Sequence, residues 1–156
     1  MIDFFKNDFL PILKGDNEII HGSKVGLEKE SFRTEGTNIS NSSHQEVLGS
    51  SLYHPHLTTD FSESQIEFIT PPFSQNIEVI NFLDDLHNYV SKNIGSEYLW
   101  PLSFPPNIST EDEIRIANYG KSNLAHLKTL YRKGLAFRYG KLMQSISGIH
   151  FNFSFN

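Results

Sequence analysis

The sequence predicts a single α+β domain over residues 1–156, in which strands combine with amphipathic helices. Apolar and polar residues alternate with period two in the stretches 26–33, 65–70 and 144–156, as in strands that bury one face. Other stretches repeat apolar residues at steps of three and four, as helices do. The 156 residues include 13 Phe, so the chain has enough apolar side chains for one core.

Composition and charge argue against several classes of protein. The formal net charge is -5 and the basic residues form no evident patch, which argues against a nucleic-acid partner. The absence of Cys excludes disulfides and thiolate metal sites. Charged residues and Pro11 interrupt the first fifteen residues, so neither a signal peptide nor a membrane span is expected there. These features predict a soluble, cytoplasmic protein and leave its oligomeric state open.

The first elements are a helix and a strand. Ile2, Phe5, Phe9 and Leu13 have helical spacing and predict a short helix that ends at Gly15. In the strand that follows, Glu28 and Glu30 share one face about 6.7 Å apart. Two carboxylates at this spacing repel each other unless cations lie between them, and they can hold separate ions of a cluster. The alternative is a solvated edge strand with alternating charges.

The stretch TTDFSESQIEFITP at 58–71 places three carboxylates in an otherwise apolar or hydroxylated run. Glu67 lies in mid-strand between Ile66 and Phe68, and the segment contains no Lys or Arg to pair with it. A metal ion or a cationic substrate would supply the partner, whereas the alternative places Glu67 on a solvent-facing side. The preceding residues 37–51 predict a surface connection, and His54 and His56 predict an exposed loop rather than a zinc site.

Three further helices are expected. The first begins near Ser74 or Asn76 and ends at Gly95, and its apolar stripe at helical spacing consists of Ile77, Ile80, Leu83, Leu86, Val90 and Ile94. The second begins at Ser109 or Thr110 and ends at Gly120. The third covers Ser122 to Arg138, and its stripe of Tyr131, Leu135, Arg138 and Leu142 is compatible with plain core packing.

The last strand has two different faces. Ile149, Phe151, Phe153 and Phe155 form an apolar face that is expected to lie in the core. The opposite face is polar and predicts a lined cavity, with Gln144, His150 and Asn152 among its residues; a wet surface is the alternative. Because the alternation continues to Asn156 without a turn, the chain is expected to be a fragment cut within a strand.

Three long stretches closely resemble bacterial glutamate-cysteine ligases of the proteobacterial type: GLEKES at 26–31, TTDFSESQIEFITP at 58–71 and KTLYRKGLAFRYGKLMQSISGIHFNFS at 128–154. The resemblance implies a glutamine-synthetase/guanido-kinase-like fold, in which antiparallel strands form a funnel with helices packed outside. It also implies ATP, L-glutamate and L-cysteine as substrates and Mg²⁺ as the cofactor, with Mn²⁺ as the alternative. The product would be γ-glutamylcysteine, in the first step of glutathione biosynthesis.

The same resemblance implies roles for individual residues. Glu28, Glu30, Asp60, Glu67 and His150 match metal-binding positions, although an imidazole suits Mn²⁺ better than Mg²⁺ and His150 could instead contact phosphate. A further set matches substrate-binding positions: Arg132 at the ATP phosphates, Tyr131, Leu135 and Gln144 around the cysteine side chain, and Asn152 at glutamate.

The implied mechanism begins with transfer of the γ-phosphoryl group of ATP to the side-chain carboxylate of glutamate, after which the cysteine amine displaces phosphate. Members of this family are far longer than 156 residues, so the chain corresponds to an N-terminal portion that is expected to be inactive by itself. The alternatives are an inactive remnant or metal-binding fragment, and a related ligase that joins glutamate to another amine.

Overall fold

The computed structural model describes residues 22–155, so the helix predicted at Ile2–Leu13 lies outside the described residues. The strands are β1 Lys24–Glu35, β2 Asn38–Ile39, β3 Leu57–Thr59, β4 Gln65–Ile69, β5 Tyr98–Leu99 and β6 Ile149–Ser154. The helices are α1 His44–Leu48, α2 Asn76–Asn93, α3 Asn123–Tyr139 and α4 Lys141–Gln144, with a 3-10 turn at Glu111–Glu113. Strands and helices thus confirm the predicted α+β class.

Strand β1 organises the sheet. It pairs antiparallel with β4 on one side and with β6 on the other, and β3 extends the sheet beyond β4. The short strands β2 and β5 pair with the last residues of β1. Every pairing among these six strands is antiparallel, so they form the antiparallel sheet that the resemblance implied.

Helix α2 covers one face of this sheet. Its buried stripe consists of Val79, Leu83, Leu86 and Val90, and it packs on Leu57, Ile66 and Phe68 of β3 and β4. The His87 ring stacks on the Phe68 ring with 4.3 Å between centroids. Ile77 and Ile80, which belong to the predicted stripe, are exposed instead. The apolar face of β3 and β4 and the buried face of α2 therefore form one apolar layer. The opposite face of the sheet can then carry polar groups.

The apolar face of β6 differs from its prediction. Ile149, Phe151 and Phe153 are 66%, 65% and 48% exposed, so the expectation that this face lies in the core is wrong for the described residues. The reason is that α2 packs over β1, β3 and β4, and within residues 22–155 no element covers β6.

The predicted helix from Thr110 to Gly120 is also wrong, because only the 3-10 turn forms. After Glu113 the chain extends, and its backbone pairs with the loop that precedes β4. The Glu63 N–H donates to the carbonyl of Arg115 at 2.9 Å, and the Ala117 N–H donates to the carbonyl of Phe61 at 3.0 Å. Tertiary hydrogen bonds have therefore replaced the helical ones.

Residues 37–51 are more deeply buried than a surface connection. Ser40, His44 and Leu48 are almost fully buried. Ser40 donates to the carboxylate of Glu97 at 2.6 Å, and the same carboxylate pairs at 2.8 Å with the fully buried Arg33 guanidinium. This buried ion pair, which the sequence reasoning missed, draws the segment against β1.

The helix prediction from Ser122 is confirmed, with bounds Asn123–Tyr139. The Ser122 side chain caps it by accepting a hydrogen bond from the Ala125 N–H at 3.2 Å, and Gly140 ends it with a φ of 81°. In the part of the chain that the structure describes, no helix has the length and apolarity needed to cross a bilayer.

Candidate active site

The face of the sheet opposite α2 carries the acidic residues. Glu30 of β1 lies directly across from Glu67 of β4, and Glu28 lies directly across from His150 of β6. Residues opposite each other in an antiparallel pair point to the same side of the sheet. Since Glu28 and Glu30 are two residues apart, all four side chains share this side. Asn152, two residues beyond His150, shares it as well.

Asp60 adds a fourth carboxylate to this face. It directly follows β3, whose Thr58 lies across from Glu67. Burial raises the pKa of Asp60 against the opposing positive charges of Arg132 and His150. Burial also raises the pKa of Glu30, and the charge of Asp60 adds to that increase. These couplings confirm that the acids predicted from separate stretches lie near one another.

Among these acids, Glu67 has the most strongly raised pKa. Burial, followed by the charges of Asp60, Glu28 and Glu30, raises the pKa of Glu67 to about 7. Its side chain is half-buried, so the alternative of an ordinary solvated residue does not hold. No described Lys or Arg forms an ion pair with it. A half-buried carboxylate among other carboxylates is the environment that a bound cation would stabilise.

Glu30 is held in place by neutral donors. Its carboxylate accepts hydrogen bonds from the Gly148 N–H at 3.0 Å and from the side-chain amide of Gln65 at 3.3 Å. Gln65 is fully buried, and its amide also donates to the Ser147 hydroxyl at 3.3 Å. Gln65 therefore connects β4 to β1 and to the start of β6 while it orients Glu30.

The donor chemistry of this acidic face, defined as Glu28, Glu30, Asp60, Glu67 and His150, fits a hard divalent cation. Carboxylate oxygens are the ligands that Mg²⁺ prefers, and the carboxylates outnumber the imidazole. His150 contacts Glu28 directly, with 3.3 Å between the imidazole Nδ1 and the carboxylate Oε2. Among residues 22–155, no three acidic or imidazole groups already stand at metal-ligating separation. The fit thus rests on donor type and charge.

Arg132 lies beside the acidic face. Its guanidinium donates from Nε to the carbonyl of Asp60 and from Nη2 to the carbonyl of Thr59 at 3.5 Å. It also lies over the Tyr119 ring, 4.7 Å from the centroid. Tyr119 was missed by the sequence reasoning, because it sits in an irregular segment before Ser122 and belongs to no periodic pattern.

The predicted cysteine-pocket residues lie on α3 and α4. Leu135 is partly buried and packs against the cluster that contains Phe32 and Phe61, as its core-packing alternative expects. Tyr131 is 59% exposed on the outer side of α3, and Gln144 is half-buried at the end of α4. Within residues 22–155 none of these three side chains hydrogen-bonds to the acidic face, and their substrate roles stay predictions.

Two other polar groups have structural partners. The Glu63 carboxylate accepts hydrogen bonds from the backbone N–H groups of His44 at 2.8 Å and Asn118 at 2.7 Å. The His54 Nδ1 accepts from the backbone N–H of Leu57 at 2.9 Å, and His54 and His56 are half-buried rather than exposed.

Positive charge is concentrated near the end of the chain, contrary to the expectation that basic residues do not cluster. Residues 114–156 contain no Asp or Glu and seven basic residues, Arg115, Lys121, Lys128, Arg132, Lys133, Arg138 and Lys141. Lys121, His126 and Lys133 line an open cavity of about 960 Å³ along α3. The basic helix α3 therefore stands next to a carboxylate-rich sheet face, and the pair can serve cations and anions together.

Comparisons with known proteins match the same family, glutamate-cysteine ligase, over nearly the whole chain. The family model described as "Glutamate-cysteine ligase" matches residues 11–156. The chain is 48% identical over 143 residues to a glutamate-cysteine ligase from Edwardsiella ictaluri (strain 93-146), covering 91% of this chain and 28% of that relative. It is also 48% identical over 136 residues to one from Alcanivorax borkumensis, covering 86% of this chain and 26% of that relative. The chain thus spans little more than a quarter of either relative.

Two solved structures superpose on most of the described chain. A glutamate-cysteine ligase from Francisella tularensis in complex with AMP superposes with a TM-score of 0.81 at 39% identity, covering 85% of this chain and 27% of that one. A bifunctional glutathione synthetase from Pasteurella multocida superposes with a TM-score of 0.76 at 36% identity, covering 92% of this chain and 19% of that one.

Proposed function

This chain belongs to the glutamate-cysteine ligase family, and from that premise we propose that its complete reading frame encodes an ATP-dependent ligase. The substrates would be L-glutamate and L-cysteine, and the product γ-glutamylcysteine. The observation that carries the proposal is the acidic face, where Glu28, Glu30 and Glu67 share one side of the sheet with Asp60 at its edge. Such a face suits divalent cations that accompany an anionic nucleotide.

The proposed metal ligands are the four carboxylates and His150. Bound Mg²⁺, or Mn²⁺, would neutralise phosphate oxygens and lower the repulsion between ATP and the glutamate carboxylate. The raised pKa of Glu67 supports this role, because a group that resists ionisation by itself gains most from a nearby cation. Gln65 would keep Glu30 oriented while the ion is bound.

The proposed anion and substrate contacts lie on α3, α4 and β6. Arg132 would contact the ATP phosphates, because a guanidinium stabilises charge that grows on a transferring phosphoryl group. Asn152 would bind glutamate from the same side as His150. Tyr131, Leu135 and Gln144 would surround the cysteine side chain. The proposal includes a glutamine-synthetase/guanido-kinase-like funnel that opens on the side of the sheet that carries the acidic face.

The proposed reaction has two steps. A side-chain carboxylate oxygen of glutamate attacks the γ-phosphorus of ATP, and the bond to the β-phosphate oxygen breaks with release of ADP. The cysteine nitrogen then attacks the acyl carbon of γ-glutamyl phosphate, which forms the amide and expels phosphate. The nitrogen loses its proton to phosphate or solvent. A cytoplasmic location, where ATP and both amino acids are available, is part of the same proposal.

The test is an assay of ADP release by the complete reading frame with Mg²⁺ and ATP. L-Glutamate and L-cysteine are added singly and then together, and turnover that needs both is the expected result. Glu67→Gln is expected to lower kcat/KM at least about 100-fold. Glu35→Gln is the matched control, because Glu35 is an exposed acid at the end of strand β1 in the same sheet.

Two outcomes would change the assignment. If turnover requires glutamate but accepts another amine in place of cysteine, the protein is a related carboxylate-amine ligase. If the complete reading frame releases no ADP with either amino acid, the inactive remnant or metal-binding fragment replaces the ligase.

A further inference from the structure

Tyr119 occupies a fixed position between the acidic face and α3. Its side chain is only 4% exposed. The residues before it are tied to the loop that precedes β4, because the Ala117 N–H donates to the carbonyl of Phe61 at 3.0 Å and the Asn118 N–H donates to the carboxylate of Glu63 at 2.7 Å. The ring is therefore presented by a segment whose two preceding residues are anchored.

The face of the ring receives two cations from α3. The Arg132 guanidinium carbon lies 4.7 Å from the ring centroid, and the Lys128 ammonium nitrogen lies 5.0 Å from it. Both distances fall within the roughly 6 Å over which a cation is attracted to an aromatic face. Because Lys128 and Arg132 are four residues apart on one helix, they approach the ring from the same helical face.

The hydroxyl of Tyr119 and the guanidinium of Arg132 bind the same two carbonyl oxygens. The hydroxyl donates to the carbonyl of Thr59 at 2.7 Å and lies 3.3 Å from the carbonyl of Asp60. Arg132 donates from Nε to the Asp60 carbonyl and from Nη2 to the Thr59 carbonyl. Two side chains and two carbonyls thus form a closed arrangement at the end of β3, next to the Asp60 carboxylate.

This arrangement leaves part of the guanidinium available. Arginine has five N–H donors in a planar fork. Nε donates to Asp60, one Nη2 hydrogen to Thr59, and one Nη1 hydrogen to the carbonyl of Lys128 at 3.3 Å. Among residues 22–155 the other hydrogen on each terminal nitrogen has no acceptor, so it can meet an anion. A long side chain that would otherwise lose rotamer freedom on binding is already oriented.

We propose that Tyr119 is a positioning residue for Arg132, whose guanidinium it holds beside Asp60 ready for the transferring phosphoryl group. This inference deepens the proposed function and rests on it for the identity of the anion. The aromatic ring sets the plane of the guanidinium, and the hydroxyl keeps the two carbonyls in the place where Arg132 needs them.

Kinetics of the complete enzyme test the catalytic consequence. Because Arg132 would act mainly on charge that develops in the transition state, Tyr119→Leu is expected to lower kcat about 10- to 100-fold with the KM values of both amino acids unchanged. Tyr119→Phe keeps the ring and is expected to lose less. The control is Tyr139→Leu. It removes another arginine–tyrosine pair, in which Arg138 lies 5.7 Å from the ring centroid of an exposed tyrosine, and it should leave kcat unchanged.

A double-mutant cycle separates positioning from general structural damage. If Tyr119 acts through Arg132, Tyr119→Leu adds little to the kcat loss of Arg132→Met. Full additivity of the two losses, or an amino-acid KM effect equal to the kcat effect, would overturn the inference.

Side-chain NMR tests positioning without activity. In protein labelled at arginine, the Arg132 Nε–H signal, assigned with Arg132→Lys, is expected to be displaced by the ring of Tyr119. It should keep most of that displacement in Tyr119→Phe and lose it in Tyr119→Leu. A wild-type signal at the position of a free guanidinium would refute the positioning role, and this readout holds even if the enzyme ligates another amine or none. If Tyr119→Leu does not fold, the position of the wild-type signal relative to that of a free guanidinium decides.

Discussion

Glu63 and Glu67 lie four residues apart, yet the fold treats them in opposite ways. Glu63 is 5% exposed, and its two oxygens accept backbone hydrogen bonds from His44 and Asn118. Glu67 is more exposed, lies among other carboxylates, and has its pKa raised to about 7. Two glutamates in one short stretch therefore have different surroundings. The difference in their burial does not by itself explain this.

The difference lies in what surrounds each charge. Backbone N–H groups from two distant segments donate to the Glu63 carboxylate, which makes it a structural link. Glu67 has three carboxylate neighbours, and the opposing charge of Arg132 offsets them only in part. A carboxylate surrounded by other carboxylates, more than a buried acid as such, marks the candidate site.

The largest effect on stability is expected at Glu63. Glu63→Gln replaces one charged acceptor oxygen by an amide that faces backbone N–H donors, so the free energy of unfolding should fall by about 2–4 kcal/mol. Urea denaturation measures this loss. Glu46→Gln, at an exposed acid on α1, is the control and should change stability by less than about 0.5 kcal/mol. A loss below about 1 kcal/mol at Glu63 would show that its hydrogen bonds do not make it a structural link.

Glu67→Gln should act in the opposite sense. Without divalent cations, this substitution removes a carboxylate that its carboxylate neighbours repel. The free energy of unfolding at neutral pH should therefore stay the same or rise. Affinity for Mg²⁺ or Mn²⁺ should fall at least about 10-fold, because an amide cannot supply the carboxylate charge. Titration calorimetry measures the affinity, with Glu35→Gln as the control on the same sheet. Unchanged metal affinity together with lower stability would make Glu67 a structural residue like Glu63.

The smallest effect is a dependence of stability on pH. The pKa of Glu67 is raised from 4.5 to about 7 in the folded state, so between these values the folded state keeps a proton that the unfolded state has released. The Glu67 contribution, taken as the unfolding free energy of metal-free wild type minus that of Glu67→Gln, should therefore fall as pH rises from about 4.5 to about 7, and Glu30 and Asp60 act on total stability in the same direction. Burial lowers the pKa of His44 to about 4, which makes total stability rise with pH, and this opposing effect cancels in the difference between the two proteins. With solvent screening, the change should be on the order of 1 kcal/mol.

Divalent cations provide the check on this pH effect. Saturating Mg²⁺ binds the ionised acids, so it should reduce or reverse the fall in this difference. Urea denaturation of wild type and Glu67→Gln across this pH range measures it. A difference that stays constant or rises with pH in metal-free buffer would mean that Glu67 has ordinary acidity and needs no cation.

Individual residues show how far sequence patterns reach. The alternation around Glu28 and Glu67 predicted two strands correctly, because a period of two depends only on backbone geometry. The Ser122 cap located the start of α3 for a similarly local reason. Tyr119 carries no such local signal, since its role comes from carbonyls about sixty residues earlier in the chain.

Sequence patterns were enough to predict the α+β class, the strands β1 and β4, the helices α2 and α3, and the acids named by the family resemblance. The fold had to be seen to learn that Glu30 faces Glu67, that Glu63 accepts hydrogen bonds from distant backbone donors, and that the segment after Thr110 pairs with another loop instead of forming a helix. The two kinds of information differ in their range along the chain. Periodicity and caps act over a few residues, whereas strand register, burial and charge neighbours depend on which remote segments the fold brings together.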